Sequence, residues 1–83
     1  MHKKLFFDAT IRLQGIDRVG MLLDISQVIS SQMNVNIHKL TIASEEGVFD
    51  GTVELRVHDR EDVGNIINQL KKITDIQDVT QII

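Results

Sequence analysis

Twice along this chain a two-residue alternation of apolar side chains gives way to a helical stripe and then returns to alternation. Leu5, Phe7, Ala9, Ile11 and Leu13 alternate with Phe6, Asp8, Thr10 and Arg12, the period of a strand with one buried face. After a loop bracketed by Gly15 and Gly20, the residues Leu22, Ile25, Val28, Ile29 and Met33 recur at helical spacing, which predicts the first helix. Val35 to Ser44 is β-branched and apolar, but Val35 and Ile37 sit in one alternation phase and Leu40 and Ile42 in the other. That strand either bulges near His38 or buries parts of both faces.

The second half repeats the order. Ser44-Glu45-Glu46-Gly47 reads as a hairpin connection, with Gly47 free to take a positive φ. Phe49, Val53, Leu55 and Val57 then alternate with polar residues in a third strand. Asp59 offers a helix N-cap, Glu61 and Asp62 complement the first-turn dipole, and Val63, Ile66, Ile67, Leu70 and Ile73 form a stripe that ends at Lys71-Lys72. Ile76 to Ile83 is the last strand. Two strand-helix-strand halves joined by a hairpin predict an α+β, ferredoxin-like βαββαβ fold. Right-handed crossovers give a four-stranded antiparallel sheet of order 2-3-1-4 with both helices on one face. Strand two is then an edge, and Phe6, Asp8, Thr10, Arg12, Thr52, Glu54, Arg56 and His58 face away from the helices as a mostly polar, charge-paired surface.

Composition removes several functions that this fold supports elsewhere. The absence of cysteine excludes disulfides, thiolate metal sites and a cysteine nucleophile. An RNA-recognition sheet needs exposed aromatics on its central strands, and the third strand presents Thr52, Glu54, Arg56 and His58 instead. A net charge of −3 gives no field for nucleic acid. His2, His38 and His58 have no metal-ligand spacing, so no metal and no cofactor is expected, and no nucleophile-base arrangement points to catalysis by this chain itself. Apolar runs of two or three residues are too short to cross a membrane, and the N-terminus lacks the apolar core of a secretory signal, which leads to a cytoplasmic expectation. With 83 residues in one domain, a chain of this size buries only roughly 60–65% of its unfolded surface, so a homo-oligomer is expected.

The stretch Gly-Ile-Asp-Arg-Val-Gly-Met-Leu-Leu-Asp-Ile-Ser, residues 15–26, carries the candidate site. If Val19 to Leu22 form the first helical turn, their N–H groups lack helical acceptors and, with the helix dipole, suit a carboxylate. Asp17 either caps the helix or fixes the loop, or else faces a ligand's ammonium group; an amino acid carries both charges. Arg18 reads as a solvated surface charge. Asn36, at the start of strand two, either begins that strand as a turn residue or offers its amide to the same ligand.

Residues 15–30, followed by Asn34-Val35-Asn36-Ile37-His38-Lys39-Leu40, resemble the ACT domain, a small regulatory module, and the similarity runs over about Phe7 to Ile82. Within that superfamily the chain is most similar to the C-terminal ACT domain of the RelA/SpoT enzymes, which make and hydrolyse (p)ppGpp in the stringent response. Residues 1–83 are accordingly expected to be a single noncatalytic regulatory domain of a larger GTP pyrophosphokinase. The resemblance implies an amino-acid or effector sensor working through ACT-ACT pairing as a homodimer, which senses an amino acid or relays ribosome and tRNA status to remote catalytic domains. It also implies a ligand site between paired domains at Gly15, Ile16, Asp17, Gly20, Met21, Leu22 and Asn36, to which the residues themselves add the Val19 N–H and apolar Ile37. Branched-chain amino acids are the first candidates, because apolar Ile16, Met21 and Ile37 flank the polar groups. Pairing along strand two would also account for its two apolar phases. A regulatory module of an amino-acid biosynthetic enzyme, such as a dehydrogenase or acetolactate synthase regulatory subunit, and a docking domain without a small ligand are the alternatives.

Overall fold

The computed structural model describes residues 6–31 and 35–83. Its elements run β1 (Phe7–Ile16), α1 (Met21–Ser30), β2 (Val35–Glu45), β3 (Val48–Val57), α2 (Arg60–Lys71) and β4 (Ile76–Gln81). The sheet is four-stranded and antiparallel, ordered β2-β3-β1-β4, as the sequence predicts. Leu5, Met33 and His2, which entered the sequence reading, lie outside the described residues.

Alternation puts Ala9, Ile11 and Leu13 of β1, Phe49, Val53, Leu55 and Val57 of β3, and Val79 of β4 into one core. Met21, Ile25 and Ile29 of α1, with Val63, Ile66 and Leu70 of α2, close over that side of the sheet. Burying each large aliphatic side chain contributes on the order of 1.5–3 kcal/mol, and no polar side chain among the described residues is buried with them. The stripe of α1 differs from the expectation at its first turn: Met21 is inside and Leu22 is 53% exposed. Met21, Ile25 and Ile29 are spaced by four, which rotates the buried face by one residue at the helix entry.

β1 runs three residues beyond its predicted end at Leu13. Gln14, Gly15 and Ile16 pair with Asp50, Phe49 and Val48 of β3, so Gly15 and Ile16 belong to the sheet rather than the loop. The sequence signal there was a glycine, which reads as a turn; Gly15 instead serves close backbone packing between strands.

β2 resolves its two apolar phases within the chain. The register against β3 shifts between Ile37 and Lys39, so His38 is the extra residue of a bulge. Val35, Ile37, Leu40 and Ile42 thereby fall opposite Val57, Leu55, Val53 and Gly51, all on the helix side of the sheet. The phase change is therefore no sign of a pairing partner, contrary to the sequence argument. The β2–β3 hairpin turns on Glu46 (φ 53°) and Gly47 (φ 83°), two left-handed residues whose twist matches the strands; Ser44 and Glu45 are still in β2.

Asp59 caps α2 by accepting from the Glu61 N–H at 3.0 Å. On the sheet face away from the helices, Arg12 makes a two-pronged contact with Asp50 (2.6 and 3.1 Å) and Arg56 meets Asp8 at 2.8 Å. The hydrogen bond from Arg12 holds the Asp50 carboxyl below the ordinary carboxylate range. The Phe6 ring meets His58 edge-on, with centroids 4.7 Å apart, and the Arg56 guanidinium lies 5.6 Å from the same ring.

Candidate functional site

The loop between β1 and α1 is suspended between two turns. On one side the Asp17 N–H donates to the Gly47 carbonyl of the hairpin at 2.9 Å, and on the other the Ile16 N–H donates to the Asp75 carbonyl at 2.9 Å. Gly20 is the N-cap of α1, in the left-handed region at φ 85°, with no side-chain cap. The helix therefore starts at Met21, later than a first turn over Val19 to Leu22 would place it. The Met21 N–H turns back to the Arg18 carbonyl at 3.2 Å and the Asp24 N–H reaches Gly20 at 2.9 Å. Leu22 and Leu23 are left as the first-turn residues whose N–H groups lack a helical carbonyl four residues earlier.

Beside this helix entry lies an open groove of about 660 Å³, lined by Asp17, Arg18, Gly20, Met21, Leu22, Leu23, Ser26, Ile42 and Ser44. One wall is α1 and the other is the helix-side face of the β2 edge. Asp17 is exposed, and its carboxylate makes no hydrogen bond or ion pair among the described residues. Asp17 is not the helix cap, since Gly20 holds that position. Met21, Leu22, Leu23 and Ile42 supply its apolar lining, and Asp17, Arg18, Ser26 and Ser44 its polar lining.

Of the residues singled out from sequence, Asp17, Gly20, Met21 and Leu22 meet at this groove. Gly15 is buried against the Asp75 carbonyl and the Phe49 ring and lines no part of this groove. Ile16 points to the opposite sheet face, where it pairs across strands with the exposed Val48. Val19 is 99% exposed at the loop tip and lines no part of the groove. Asn36 and Ile37 stand opposite Arg56 and Leu55 at the far end of β2, roughly 20 Å along the strand from Ile42. One chain does not bring them to Asp17.

Leu23, Ser26, Ile42 and Ser44 were missed. Leu22, Leu23 and Ser26 share a helix face by their three- and four-residue spacing, a signal available in the sequence. Ile42 and Ser44 were hidden because their facing depends on the bulge. Arg18 is no solvated charge: it is bonded to Asp24, Asp75 and the Thr74 carbonyl. Among the described residues no cluster of histidine, aspartate and glutamate is arranged to hold a metal ion, and no helix is long and apolar enough to cross a membrane.

Comparison with known proteins adds a family. The sequence model described as "ACT domain" matches residues 3–80. The ACT domain from GTP pyrophosphokinase of Chlorobium tepidum is similar in both its solution and crystal structures. The solution structure has a TM-score of 0.80 at 25% identity, covering 95% of this chain and 89% of that one. The crystal structure has a TM-score of 0.82 at 26% identity, covering 93% and 99%. The acetolactate synthase small subunit from Thermotoga maritima shares the fold, with a TM-score of 0.77 at 16% identity, over 90% of this chain and 47% of that one. No match was found among the curated proteins.

Proposed function

This chain belongs to the ACT domain family, and we propose that it is the regulatory domain of a RelA/SpoT-type GTP pyrophosphokinase, binding an amino acid at the groove beside Asp17. In this reading its occupancy is passed to remote catalytic domains that make and hydrolyse (p)ppGpp, in step with the state of ribosome and tRNA. The parent enzyme is inferred from the likeness to the Chlorobium tepidum pyrophosphokinase domain.

The observation that carries the ligand reading is a carboxylate without a partner among the described residues beside a helix start without a side-chain cap, at one groove. An ammonium group suits Asp17 and a carboxylate suits the Leu22 and Leu23 N–H groups at the positive end of α1. The apolar wall of Met21, Leu22, Leu23 and Ile42 favours an aliphatic side chain, hence the branched-chain amino acids.

The groove is lined on one side by β2, the edge strand of the sheet, and in this reading a second copy supplies what one chain lacks. Antiparallel pairing of two β2 edges about a two-fold axis runs the start of one strand beside the end of the other. The partner's Ile37, on the helix side of its strand, and the backbone of the partner's Asn36 then approach this chain's Ile42 and Ser44, while the side chain of the partner's Asn36 lies on the sheet face that carries Arg56. In this reading a homodimer completes the groove through Ile37.

The experiment is an amide-shift titration of the isotope-labelled chain with a panel of amino acids, with its association state fixed by sedimentation. A branched-chain amino acid is expected to move the amides of Leu22 and Leu23 together with that of Asn36 in a dimeric sample. If no amino acid moves them, the domain acts in docking without a small ligand.

A further inference from the structure

Arg18 has partners on three segments that the chain brings together from 56 residues apart. Its Nη2 donates to the Asp24 carboxylate of α1 at 2.6 Å, its Nε lies 3.3 Å from the Asp75 carboxylate, and Nε and Nη2 donate to the Thr74 carbonyl at 3.4 and 3.2 Å. Its Nη1 also donates to the Val19 carbonyl of its own loop at 3.3 Å. The side chain is only 27% exposed. A cation at the N-terminal end of α1 meets the positive end of the helix dipole, so its place there depends on the two carboxylates. With both in contact, the guanidinium is committed to the protein and is not the group that receives an anionic ligand.

Its shortest contact is with Asp24, and its longer ion pair reaches the one residue of the α2–β4 turn at a positive φ. Asp75 sits at φ 75°, the left-handed region that aspartate enters more readily than most non-glycine residues but still at a cost that surrounding contacts offset. Those surroundings are β1 and the loop that follows it: Ile16 binds the Asp75 carbonyl and Arg18 its carboxylate.

We propose that Arg18 is a positioning residue, a latch that locks the β1–α1 loop and the left-handed Asp75 turn into one unit, so that loosening either loosens the other. The proposal goes beyond the ligand reading and does not depend on it. A displacement of the loop would be felt at the start of β4, on the far side of the sheet from the β2 edge.

The test is amide hydrogen exchange on the intact chain without ligand. Arg18→Met is expected to speed exchange at the Ile16 N–H, the donor to Asp75, about tenfold relative to Val53 in the core of β3. In an Asp75→Gly background, glycine holds the left-handed backbone unaided and has no carboxylate. There the same substitution is expected to change Ile16 exchange by less than about threefold. Equal acceleration in both backgrounds, or none in the first, overturns the latch. Should Arg18→Met fail to fold, Arg18→Lys replaces it. Faster Ile16 exchange that vanishes with Asp75→Gly supports the latch, and any other pattern overturns it.

Discussion

Gly15 stands so close to Asp75 that a Cβ built on it lies 2.2 Å from the Asp75 carbonyl oxygen and 2.9 Å from the Phe49 ring. The neighbour is main chain and cannot rotate away. Gly15→Ala is therefore expected to destabilise the fold by about 3 kcal/mol, at the upper end of overpacking costs, because β1 must part from the α2–β4 turn. Urea unfolding followed by circular dichroism measures it. An unchanged midpoint would show that β1 and the α2–β4 turn part without cost.

Gly64 presents the opposite case. It lies in α2, exposed, and a Cβ there meets no atom within 4 Å. Helix propensity then acts alone, and Gly64→Ala is expected to stabilise the chain by about 1 kcal/mol. Thermal unfolding of the two substitutions side by side gives shifts of opposite sign.

Much of this was legible because local period and global fold agree. The stripe Val63, Ile66 and Leu70 and the cap Asp59 lie where sequence put them, since a lone amphipathic helix has one face to bury. What escaped reading depends on contacts distant in sequence. Gly15 looks like a loop glycine until Asp75 is brought against it, and Arg18 looks solvated until Thr74 and Asp75 are beside it. The bulge at His38 was anticipated, yet its consequence for Ile42 and Ser44 needed the register against β3. The candidate site was half legible for that reason: the loop and helix start are contiguous in sequence, and the opposite wall is not.

The charge-paired sheet face makes a prediction about acid. Asp50 has its folded pKa lowered by the hydrogen bond from Arg12, so its stabilising effect is present above the unfolded carboxylate value of about 3.9 and is lost as pH falls through the lower folded value. Asp50→Asn removes that titration. The variant is expected to lose less stability than the parent between about pH 4 and pH 2, while being less stable at pH 7. Denaturant midpoints across that range decide it; parallel pH profiles would show that the pair contributes nothing.

Association through the β2 edge calls for a probe that spares the core. Leu40 is unsuitable, because it is half-buried against the core and Leu40→Lys would unfold what it is meant to separate. Leu23 is 59% exposed on the α1 wall of the groove, beside the same edge. Leu23→Asp is expected to keep the unfolding midpoint and raise the dimer dissociation constant at least about tenfold, because a charge is then desolvated in the interface. Sedimentation over a concentration series measures this, and an unaltered dissociation constant would move the interface away from α1.

Asp17 is where the ligand reading is most exposed to test. Its carboxylate has no partner among the described residues, so replacing it removes nothing from the fold while deleting the proposed acceptor for an ammonium group. Asp17→Asn is expected to leave thermal stability unchanged and weaken binding of the best branched-chain amino acid by on the order of 1–3 kcal/mol, the range of a charge-assisted hydrogen bond. Gly20→Val would confuse the result, since a β-branched residue at φ 85° disturbs the helix entry itself. Gly20→Asn is the better companion, because asparagine tolerates the left-handed region and adds a side chain at the mouth of the groove. Calorimetric titration of the parent and both variants gives the comparison. Binding that survives Asp17→Asn undiminished would move the ammonium partner elsewhere and leave the groove to an apolar contact between copies.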